Sequence, residues 1–520
     1  MYTAARLAAL ALVANPITVA LAQTAEPTDG QSRGEQSSVE QKLADQEQRI
    51  KILERKLELA GETTTTAAAT TPVVKAAPTG FSLNSADGKN SFKLRGTLNI
   101  DGRYFADYDD TANLSNGVAG TSAYKSANGF LTRKIRPVFE GTINGIYDFR
   151  FQPDFAGGKT VILDTYIAAR FKPWAVVTAG KFKNPVGLER LQTEQYNKFV
   201  ELGFPSSLAP NRDLGLQFSG SVLNGVVSYA AGIFDGTIDG NSSDSNPSPD
   251  ADTDNKREVA ARVFVLPFAN GNNFYLRGLG VGIAATSGSK KGNADVSLTS
   301  GSATGPTTQV VPVITTNTWL PTYRTAAQQT LFSYRGDSAV TLDRNEATYA
   351  DGRATRISPQ AYYYYGSLGV ITEYIESKQE VSRHSTATVT NSATLKNTAW
   401  QVAASYFLTG EEAAYNSATP LNNFAIGKPG IGAWEIAARY QKLNIDDNAF
   451  TGGSASFANP ATAVSGATGY SVAVNWYLNQ NIRWTLEYDR TSFDGGAGTA
   501  AAITDRKDEN AYVTRFALGF

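Results

Sequence analysis

The chain has 520 residues, with no Cys, one Met, one His, 24 Tyr, 25 Phe and 47 Gly, and its formal net charge is −1. Without cysteine it can form neither a disulfide nor a thiolate metal site, and a single histidine excludes a His-rich metal site. The near-zero charge singles out no partner, and we expect no cofactor and no nucleic-acid binding. Many Tyr and Gly residues with a modest hydrophobic fraction are typical of a protein built from short strands.

The N-terminus has the features of a secretory signal peptide over residues 1–22. One cation, Arg6, precedes an apolar stretch that ends in Ala20, Leu21 and Ala22, which is a small-x-small cleavage pattern. We therefore expect export of the chain. No later apolar run is long enough to predict a transmembrane helix. Residues 23–35 are polar, and we predict that they are disordered.

Residues 36–60 carry a repeating seam with alternate spacings of four and three. The seam consists of Val39, Leu43, Gln46, Ile50, Leu53, Leu57 and Ala60. Three heptads of this kind predict a short parallel coiled coil that oligomerises the chain, and a single amphipathic helix is the alternative. A Thr/Ala/Pro linker over residues 61–80 separates this segment from the rest of the chain.

From residue 81 to residue 520, apolar and polar residues alternate within segments of strand length. Two examples of apolar faces are Phe92, Leu94, Leu98 and Ile100, and Trp434, Ile436, Ala438 and Tyr440. A period of two predicts strands with two different faces. Aromatic residues at the segment ends are typical of the girdle of a membrane barrel. We therefore predict an all-β fold, a transmembrane antiparallel β-barrel over residues 81–520, rather than a soluble β-sandwich.

The connections between these segments differ in length. Short turns at 222–227 and 477–483 are expected at the periplasmic end of the barrel. Long polar loops at 236–256, 287–355 and 409–432 are expected at the extracellular end.

If the apolar faces meet lipid, the polar faces line a water-filled lumen. The basic residues that alternation places inside are Lys93, Arg95, Arg103, Lys134, Arg136, Arg150, Arg170, Lys172, Lys181, Lys183, Arg262, Arg439 and Arg515. The inward acids are Asp101, Glu140, Asp148, Asp154, Asp164 and Glu435. A row of cations attracts anions and releases them again, because several moderate sites act in series. The alternative is that these cations only solvate the wall and pair with the acids.

Seven segments resemble the phosphate-selective porin O/P family in their order and spacing. They are SFKLRGTLNIDGRYF, FLTRKIRPVFEG, GKFKNPVGLE, YFLTGEEAAY, GAWEIAARYQ, NWYLNQNIRWTLEYDR and the last strand, NAYVTRFALGF. The resemblance covers residues 81–520 and implies a sixteen-stranded, trimeric barrel in the outer membrane of a Gram-negative bacterium. It also implies basic side chains along the pore, an inward-folded third loop and passive passage of anions, phosphate above all. The terminal Phe520 resembles the recognition signal that outer-membrane proteins present for insertion.

The family's pore residues carry over only in part. Two adjacent arginines of the family match Arg133 and Lys134 in this chain. Because neighbours in a regular strand point to opposite faces, both side chains can reach the pore only at a bulge or at the edge of a loop. The family's acidic partner in the constriction matches Asp164. A family arginine in the first strand is replaced by Thr97, although Arg95 lies two residues away on the same face.

The third loop departs further from the family pattern. Its middle, 187–202, is predicted to be helical, and an inward fold would place Arg190, Thr193, Glu194 and Lys198 near the constriction. Arg190 replaces a family lysine, which keeps the charge but changes a point cation into a planar fork. Thr193 and Glu194 replace two family serines. A carboxylate at Glu194 repels an anion unless it is paired.

These observations predict an outer-membrane porin in contact with lipid, through which small inorganic anions diffuse, with phosphate or polyphosphate as candidate solutes. The candidate anion-binding and pore-lining residues are Lys93, Arg95, Arg133, Lys134, Asp164, Lys181, Arg190 and Thr193. One alternative is a channel for sugars or organic acids. Another is an envelope tether whose coiled coil contacts the cell wall. A membrane-barrel phospholipase would need a Ser-His pair at the lipid-facing wall, and His384 is the one histidine.

Overall fold

The computed structural model describes residues 41–58, 71–106, 128–158, 160–242, 255–300, 310–336, 340–341, 344–384, 389–499 and 501–520. The predicted signal peptide and the predicted disordered segment lie outside these residues. The chain divides into two units, Met1–Thr71 and Pro72–Phe520. Within the described ranges, no helix combines the length and the apolar character needed to cross a membrane.

The first unit contributes one helix, α1, over residues 41–58. Its large apolar seam residues are between 54% and 78% exposed: Leu43, Ile50, Leu53 and Leu57. An isolated helix of this length is marginally stable in water, and most helices gain their stability by packing an apolar face. The helix is present where a coiled coil is predicted, and its pairing with other copies stays a prediction.

The second unit begins with a hairpin of β1 (Val73–Ala77) and β2 (Gly80–Asn84). Nine long strands follow: β3 (Ser91–Phe105), β4 (Gly129–Ile143), β5 (Tyr147–Asp154), β6 (Val161–Lys172), β7 (Ala175–Lys183), β8 (Arg212–Val222), β9 (Val227–Phe234), β10 (Glu258–Val265) and β11 (Leu279–Lys291). The loop after β11 holds three small hairpins: β12 (Asn293–Ser300) with β13 (Val310–Asn317), β14 (Thr322–Arg324) with β15 (Thr330–Ser333), and β16 (Val340–Thr341) with β17 (Arg344–Asn345). The last strands are β18 (Thr348–Tyr365), β19 (Leu368–His384), β20 (Thr390–Phe407), β21 (Ala433–Asn444), β22 (Val464–Tyr477), β23 (Ile482–Thr499), β24 (Ala502–Asp505) and β25 (Glu509–Gly519).

Sixteen of the nineteen strands in the main sheet form a closed antiparallel barrel, since β1, β2 and β24 are short additions. Each barrel strand pairs with the next one along the chain, and β25 pairs with β3 to close the ring, with Arg515 opposite Asp101. β2 continues along the part of β3 that β25 does not reach, with Phe81 opposite Leu94. Closure removes the open sheet edges that a bilayer would not tolerate. The predicted sixteen-stranded antiparallel barrel is confirmed.

Alternation sorts the side chains between the two surfaces of the barrel. In β25, Phe516 is 52% exposed on the outer surface, whereas its neighbour Arg515 is 3% exposed and lies inside. Aromatic residues gather on the outer surface near the strand ends, where the rings of Trp434 and Trp476 stack with centroids 5.1 Å apart. A lipid-facing apolar face and a polar inner face explain why the strands have a period of two.

The two ends of the barrel carry different connections. The end that we call the turn end has short turns at 144–146, 173–174, 223–226, 366–367 and 478–481. The opposite end, the loop end, carries the long connections 235–257 and 292–347, as predicted. The prediction is wrong for 409–432. This segment joins β20 to β21 at the turn end, where the Phe407 N–H bonds to the Ser367 carbonyl at 3.1 Å and the Phe424 N–H to the Leu478 carbonyl at 2.7 Å. The length of this segment alone did not indicate at which end of the barrel it lies.

A hydrophobic core lies inside the lumen. Residues from the connections 184–211, 292–347 and 445–463 pack against the inner faces of β19 to β23. Its large members, all buried, include Phe204, Leu208, Tyr323, Leu331, Phe332, Ile375, Leu395, Leu443, Ile445 and Phe457. Full burial of one such side chain contributes about 1.5–3 kcal/mol. We call this group the lumen core. It fills one side of the lumen, and the large cavities lie along the other side, which β3 to β8 form.

Candidate functional site

Two cavities follow one another along the inner wall formed by β3 to β8. The turn-end cavity has a volume of about 630 Å³ and is lined by Arg95 and by residues of β5 to β8. The loop-end cavity has a volume of about 290 Å³ and is lined by Arg133 and by residues of the connection 184–211. Three side chains line both cavities: Lys183, Glu194 and Arg212. We call these three residues the junction, because a solute that moves from one cavity to the other passes them.

The connection 184–211, which we call the inward loop, joins β7 to β8. It contains a helix α2 (Leu188–Leu191), a 3-10 turn (Glu194–Tyr196) and a helix α3 (Phe204–Leu208). The predicted helix over 187–202 is therefore wrong, since helical structure stops at Leu191 and Gln192 has extended dihedral angles (φ −55°, ψ 147°).

Side chains of the β19 to β23 wall bind the backbone of the inward loop. The Glu373 carboxylate accepts hydrogen bonds from the Leu188 N–H at 2.8 Å and from the Glu189 N–H at 3.2 Å. The Glu487 carboxylate accepts one from the Val200 N–H at 2.5 Å. Each such hydrogen bond contributes about 0.5–1.5 kcal/mol. Glu373 thus caps the free N–H groups at the start of α2, and Glu487 binds the loop backbone beyond Leu191, where the α-helix has ended.

The opposite side of the inward loop presents two carboxylates to β4. Glu194 accepts hydrogen bonds from Lys134 Nζ at 3.1 Å and from Arg136 Nη1 at 2.5 Å. Glu201 accepts a bidentate pair from Arg133, with Nε at 2.7 Å and Nη2 at 3.1 Å. The basic residues of β4 therefore use part of their hydrogen-bonding capacity to hold the loop.

Arg133 and Lys134 both contact the inward loop although they are neighbours in β4. The register pairs Lys134 with Asn99 and Thr132 with Ile100, so Arg133 is the extra residue of a β-bulge. A bulge re-aims a side chain that regular pleating would send to the other face. The bulge thus gives one lumen two adjacent cations.

A second cluster centres on Asp164 in β6. Arg212 Nε donates to Asp164 Oδ1 at 2.7 Å, and Arg150 Nε lies 3.3 Å from the other oxygen. Arg95 faces the same cavity and forms a longer ion pair with Glu140, at 3.4 Å, with 34% of its side chain exposed. Arg95 therefore presents donors to the turn-end cavity more openly than Arg212 does.

The other predicted site residues are dispersed. Lys93 lies on the inner face of β3. Lys181 is 1% exposed and lies opposite Thr165 and Leu214, on the other face of β7 from the cavity-lining Phe182, so its predicted place along the pore is wrong. Arg190 is buried in the inward loop and donates to the Ser206 carbonyl, so it holds the loop together. Thr193 lines the turn-end cavity. These four residues do not form one cluster.

Two residues at the site, Arg212 and Glu201, are not among those predicted from the sequence. Alternation along β8 groups Arg212 with Leu214 and Leu216, and Leu216 is exposed on the outside. Arg212 is the first residue of the strand, directly after the inward loop, and its guanidinium reaches back to Asp164. No local sequence pattern distinguishes Glu201 from a surface acid.

The segment 408–432 also contacts the inward loop, from the turn end. The Tyr415 hydroxyl donates to the Leu188 carbonyl at 2.5 Å, and the Thr193 N–H donates to Asn416 Oδ1 at 2.9 Å. The inward loop is therefore held by the wall, by β4 and by this segment. We infer that it is a fixed part of the barrel interior.

The two cavities differ in charge. The loop-end cavity is lined by seven basic residues (Arg133, Lys134, Arg136, Lys183, Arg190, Arg212 and Arg324) and two acids (Glu194 and Glu201). The turn-end cavity is lined by four basic residues (Arg95, Arg150, Lys183 and Arg212) and three acids (Asp148, Asp164 and Glu194). Basic residues therefore outnumber acidic side chains in both cavities, and the margin is larger at the loop end. A concave wall of one sign concentrates ions of the other sign.

The carboxylates of the inward loop remain charged. Burial alone would raise the pKa of Glu194, but the positive charges of Arg136 and Lys134 outweigh it and hold that pKa well below its usual range. Burial would likewise raise the pKa of Glu201, and Arg133 with other arginines lowers it well below the usual value. Both groups thus retain their ion pairs under mildly acidic conditions.

These pKa shifts predict how the loop responds to pH. A folded-state pKa below the unfolded value means that the stabilisation is present above about pH 4.5 and is lost as the pH falls through the lower, folded value. We expect hydrogen–deuterium exchange of residues 184–211, corrected for the intrinsic rate, to be the same at pH 7 and pH 5. Faster exchange at pH 5 in the residues next to Glu194 and Glu201 would contradict the lowered pKa values of these two carboxyl groups.

The chain matches one family model and is similar to several solved structures. A family model, phosphate-selective porin O and P, matches residues 98–313 and 307–520. Similar solved structures include OmpT of Vibrio cholerae (11% identity, 83% of this chain and 98% of that chain, TM-score 0.45). A second is the outer membrane channel DcaP of Acinetobacter baumannii (9% identity, 83% of this chain and 97% of that chain, TM-score 0.46). A third is an anion-selective porin from Comamonas acidovorans (12% identity, 83% of this chain and 100% of that chain, TM-score 0.44). No curated protein matches the sequence.

Proposed function

Since the chain belongs to the phosphate-selective porin O and P family and is an outer-membrane porin, we propose that its solutes are anions, which cross along the β3 to β8 side of the lumen. The observation that supports this proposal is the excess of basic residues in both cavities, seven against two at the loop end. Several cationic positions in series attract an anion without trapping it. The family and the barrel point to a channel rather than an enzyme.

Among inorganic anions, we propose phosphate or polyphosphate as the preferred solute. Guanidinium groups match the oxygens of phosphate with paired donors, and Arg95 and Arg212 line the turn-end cavity. Glu194, which would repel phosphate, is already paired with Lys134 and Arg136. The pairing reduces the repulsion and leaves two cations at the junction.

A planar-bilayer recording of the purified protein tests both proposals. The reversal potential in a KCl gradient measures anion over cation permeability, and titration with phosphate measures block of the chloride current. We expect anion selectivity and block at low phosphate concentration. Anion selectivity without block would leave a general anion porin, whereas cation selectivity would overturn the proposed function.

We further propose that residues 1–22 direct export and that the chain forms a homotrimer assisted by a coiled coil over residues 36–60. The exposed apolar seam of α1 supports the second proposal, because such a seam gains stability by pairing. The same segment could contact the cell wall, as an envelope tether would.

Deletion of residues 36–60 separates these roles. We expect unchanged conductance and selectivity, because both cavities lie in the second unit, together with a lower dissociation temperature of the oligomer on semi-native gels. Loss of envelope integrity without a change in dissociation temperature would favour the tether. Loss of conductance would contradict both.

A further inference from the structure

We propose that the turn-end cavity binds a hydroxylated organic anion, such as a sugar phosphate or a sugar acid. The inference rests on the proposed passage of anions and adds the chemical class of a larger solute. It follows from four properties that the cavity combines: its size, the exposed guanidinium of Arg95, its uncharged polar lining and its aromatic wall.

The cavity is much larger than an inorganic anion. Its volume is about 630 Å³, whereas one water molecule takes up about 30 Å³ in the liquid. Sites for small organic molecules commonly have volumes of about 300–1,000 Å³. A phosphate or chloride ion alone would leave most of this space to water.

The charged end of the solute has a matching group in Arg95. Its one described ion pair, with Glu140, is long at 3.4 Å, and a third of the side chain is exposed. A guanidinium carries five N–H donors in a planar fork that suits phosphate and carboxylate alike. Arg150, across the same cavity, is more occupied, since it contacts Glu140 at 3.3 Å and Gln152 at 2.7 Å.

The rest of the lining is suited to hydroxyl groups. Uncharged polar side chains around the cavity include Thr97, Thr178, Thr193, Gln195, Gln217 and Gln480. Among the residues that the structure describes, Gln217 Oε1 is a buried acceptor without a hydrogen-bond partner. Leaving a buried acceptor unpaired costs about 1–3 kcal/mol. Rotation of the Gln217 amide would turn this oxygen towards the cavity and allow a hydroxyl group of a solute to donate to it, whereas chloride has no proton to donate.

Aromatic rings complete the wall. Tyr166, Phe182 and Tyr196 line the cavity, and the rings of Tyr166 and Phe182 meet edge to face with centroids 6.0 Å apart. Such rings offer a large apolar surface to the C–H groups of a carbon skeleton. Inorganic anions have no apolar surface, so only an organic anion uses the guanidinium, the amides and the rings together.

The test compares block of the chloride current by glucose 6-phosphate, inorganic phosphate and glucose in one bilayer. We expect half-block by glucose 6-phosphate at a concentration at least about fivefold lower than for either of the others. In the unmodified protein, glycerol 3-phosphate should also block better than propyl phosphate, which lacks hydroxyl groups. The inference would be overturned if glucose 6-phosphate blocked no better than phosphate and glycerol 3-phosphate blocked no better than propyl phosphate.

Two variants locate the site. The measured quantity is the half-blocking concentration of glucose 6-phosphate divided by that of phosphate. Gln217→Leu and Tyr166→Leu should each raise this ratio several-fold. Gln379→Leu makes the same chemical change in β19, beside the lumen core and outside the cavity lining, and serves as the matched control. An unchanged ratio in both folded variants would overturn the site. A cation-selective reversal potential would instead overturn the proposed anion function, so the two failures are distinguishable.

Discussion

Replacement of Arg212 by Gln should lower the anion-over-cation permeability ratio about 5- to 10-fold. Arg212 is one of the two cations at the junction, and its Nε is bonded to Asp164 at 2.7 Å. The substitution removes one positive charge and leaves the Asp164 charge less compensated. Two unit charges 4 Å apart interact with about 1 kcal/mol in water and about 4 kcal/mol near a protein surface. A free-energy difference of 1.4 kcal/mol changes an equilibrium ratio about tenfold. The reversal potential in a KCl gradient measures the change.

Two matched variants make this result specific. Arg212→Lys keeps the charge but loses the planar fork, so it should retain most of the selectivity. Arg490→Gln removes an arginine from the outer surface, where it pairs with Asp508 at 2.8 Å, and should change nothing in the lumen. Because removal of a partner from a buried ion pair costs about 3–5 kcal/mol, folding must be checked by heat-dependent mobility on gels. A folded Arg212→Gln protein with an unaltered permeability ratio would show that ions do not cross the junction.

Replacement of Glu194 by Gln should instead raise the anion-over-cation permeability ratio. This variant removes the carboxylate at the junction and releases Lys134 and Arg136 from their ion pairs. The junction then keeps Lys183 and Arg212 as its charges. We expect a permeability ratio about 3- to 10-fold higher for anions, by the same Coulomb estimate, and half-block at a lower phosphate concentration. The same recordings provide both values.

The control for this variant is Glu376→Gln. Glu376 lies on the outer face of β19, where it pairs with Lys378 at 2.8 Å, so its loss should leave conduction unaltered. A fall in anion selectivity in Glu194→Gln would mean that the inward loop had shifted and that the carboxylate acts mainly as an anchor. Exchange measurements over residues 184–211 would then show faster exchange in the variant.

The barrel itself was predictable because its environment imposes one rule on every strand. Lipid outside and water inside demand an apolar and a polar face, and that rule separates Phe516 from Arg515 in the last strand. The same rule does not extend past the ends of the strands. Arg212 follows the alternation of β8 in the sequence, yet it stands at the strand end and reaches back to Asp164.

The interior connections were less predictable because distant side chains decide their structure. The backbone of the inward loop bonds to Glu373 and Glu487, which lie far along the chain, so no local pattern indicates where its helix ends. The segment 409–432 has the length and polarity of a surface loop, but the direction of β20 takes it to the turn end. The partners of Glu194 are sixty and fifty-eight residues away in the chain, so no local pattern indicated that its charge is compensated.

The lumen core has a consequence for how such a protein can change over generations. The inner loops pack against β19 to β23, whereas the proposed path of solutes follows side chains of β3 to β8. Mutations at inner positions of β3 to β8 that hold neither the inward loop nor Asp164 can therefore alter permeation with little loss of assembly, whereas mutations on β19 to β23 are exposed to selection mainly through folding. A randomised library restricted to those positions would accordingly keep a high proportion of assembled channels while it diversifies which solutes can cross.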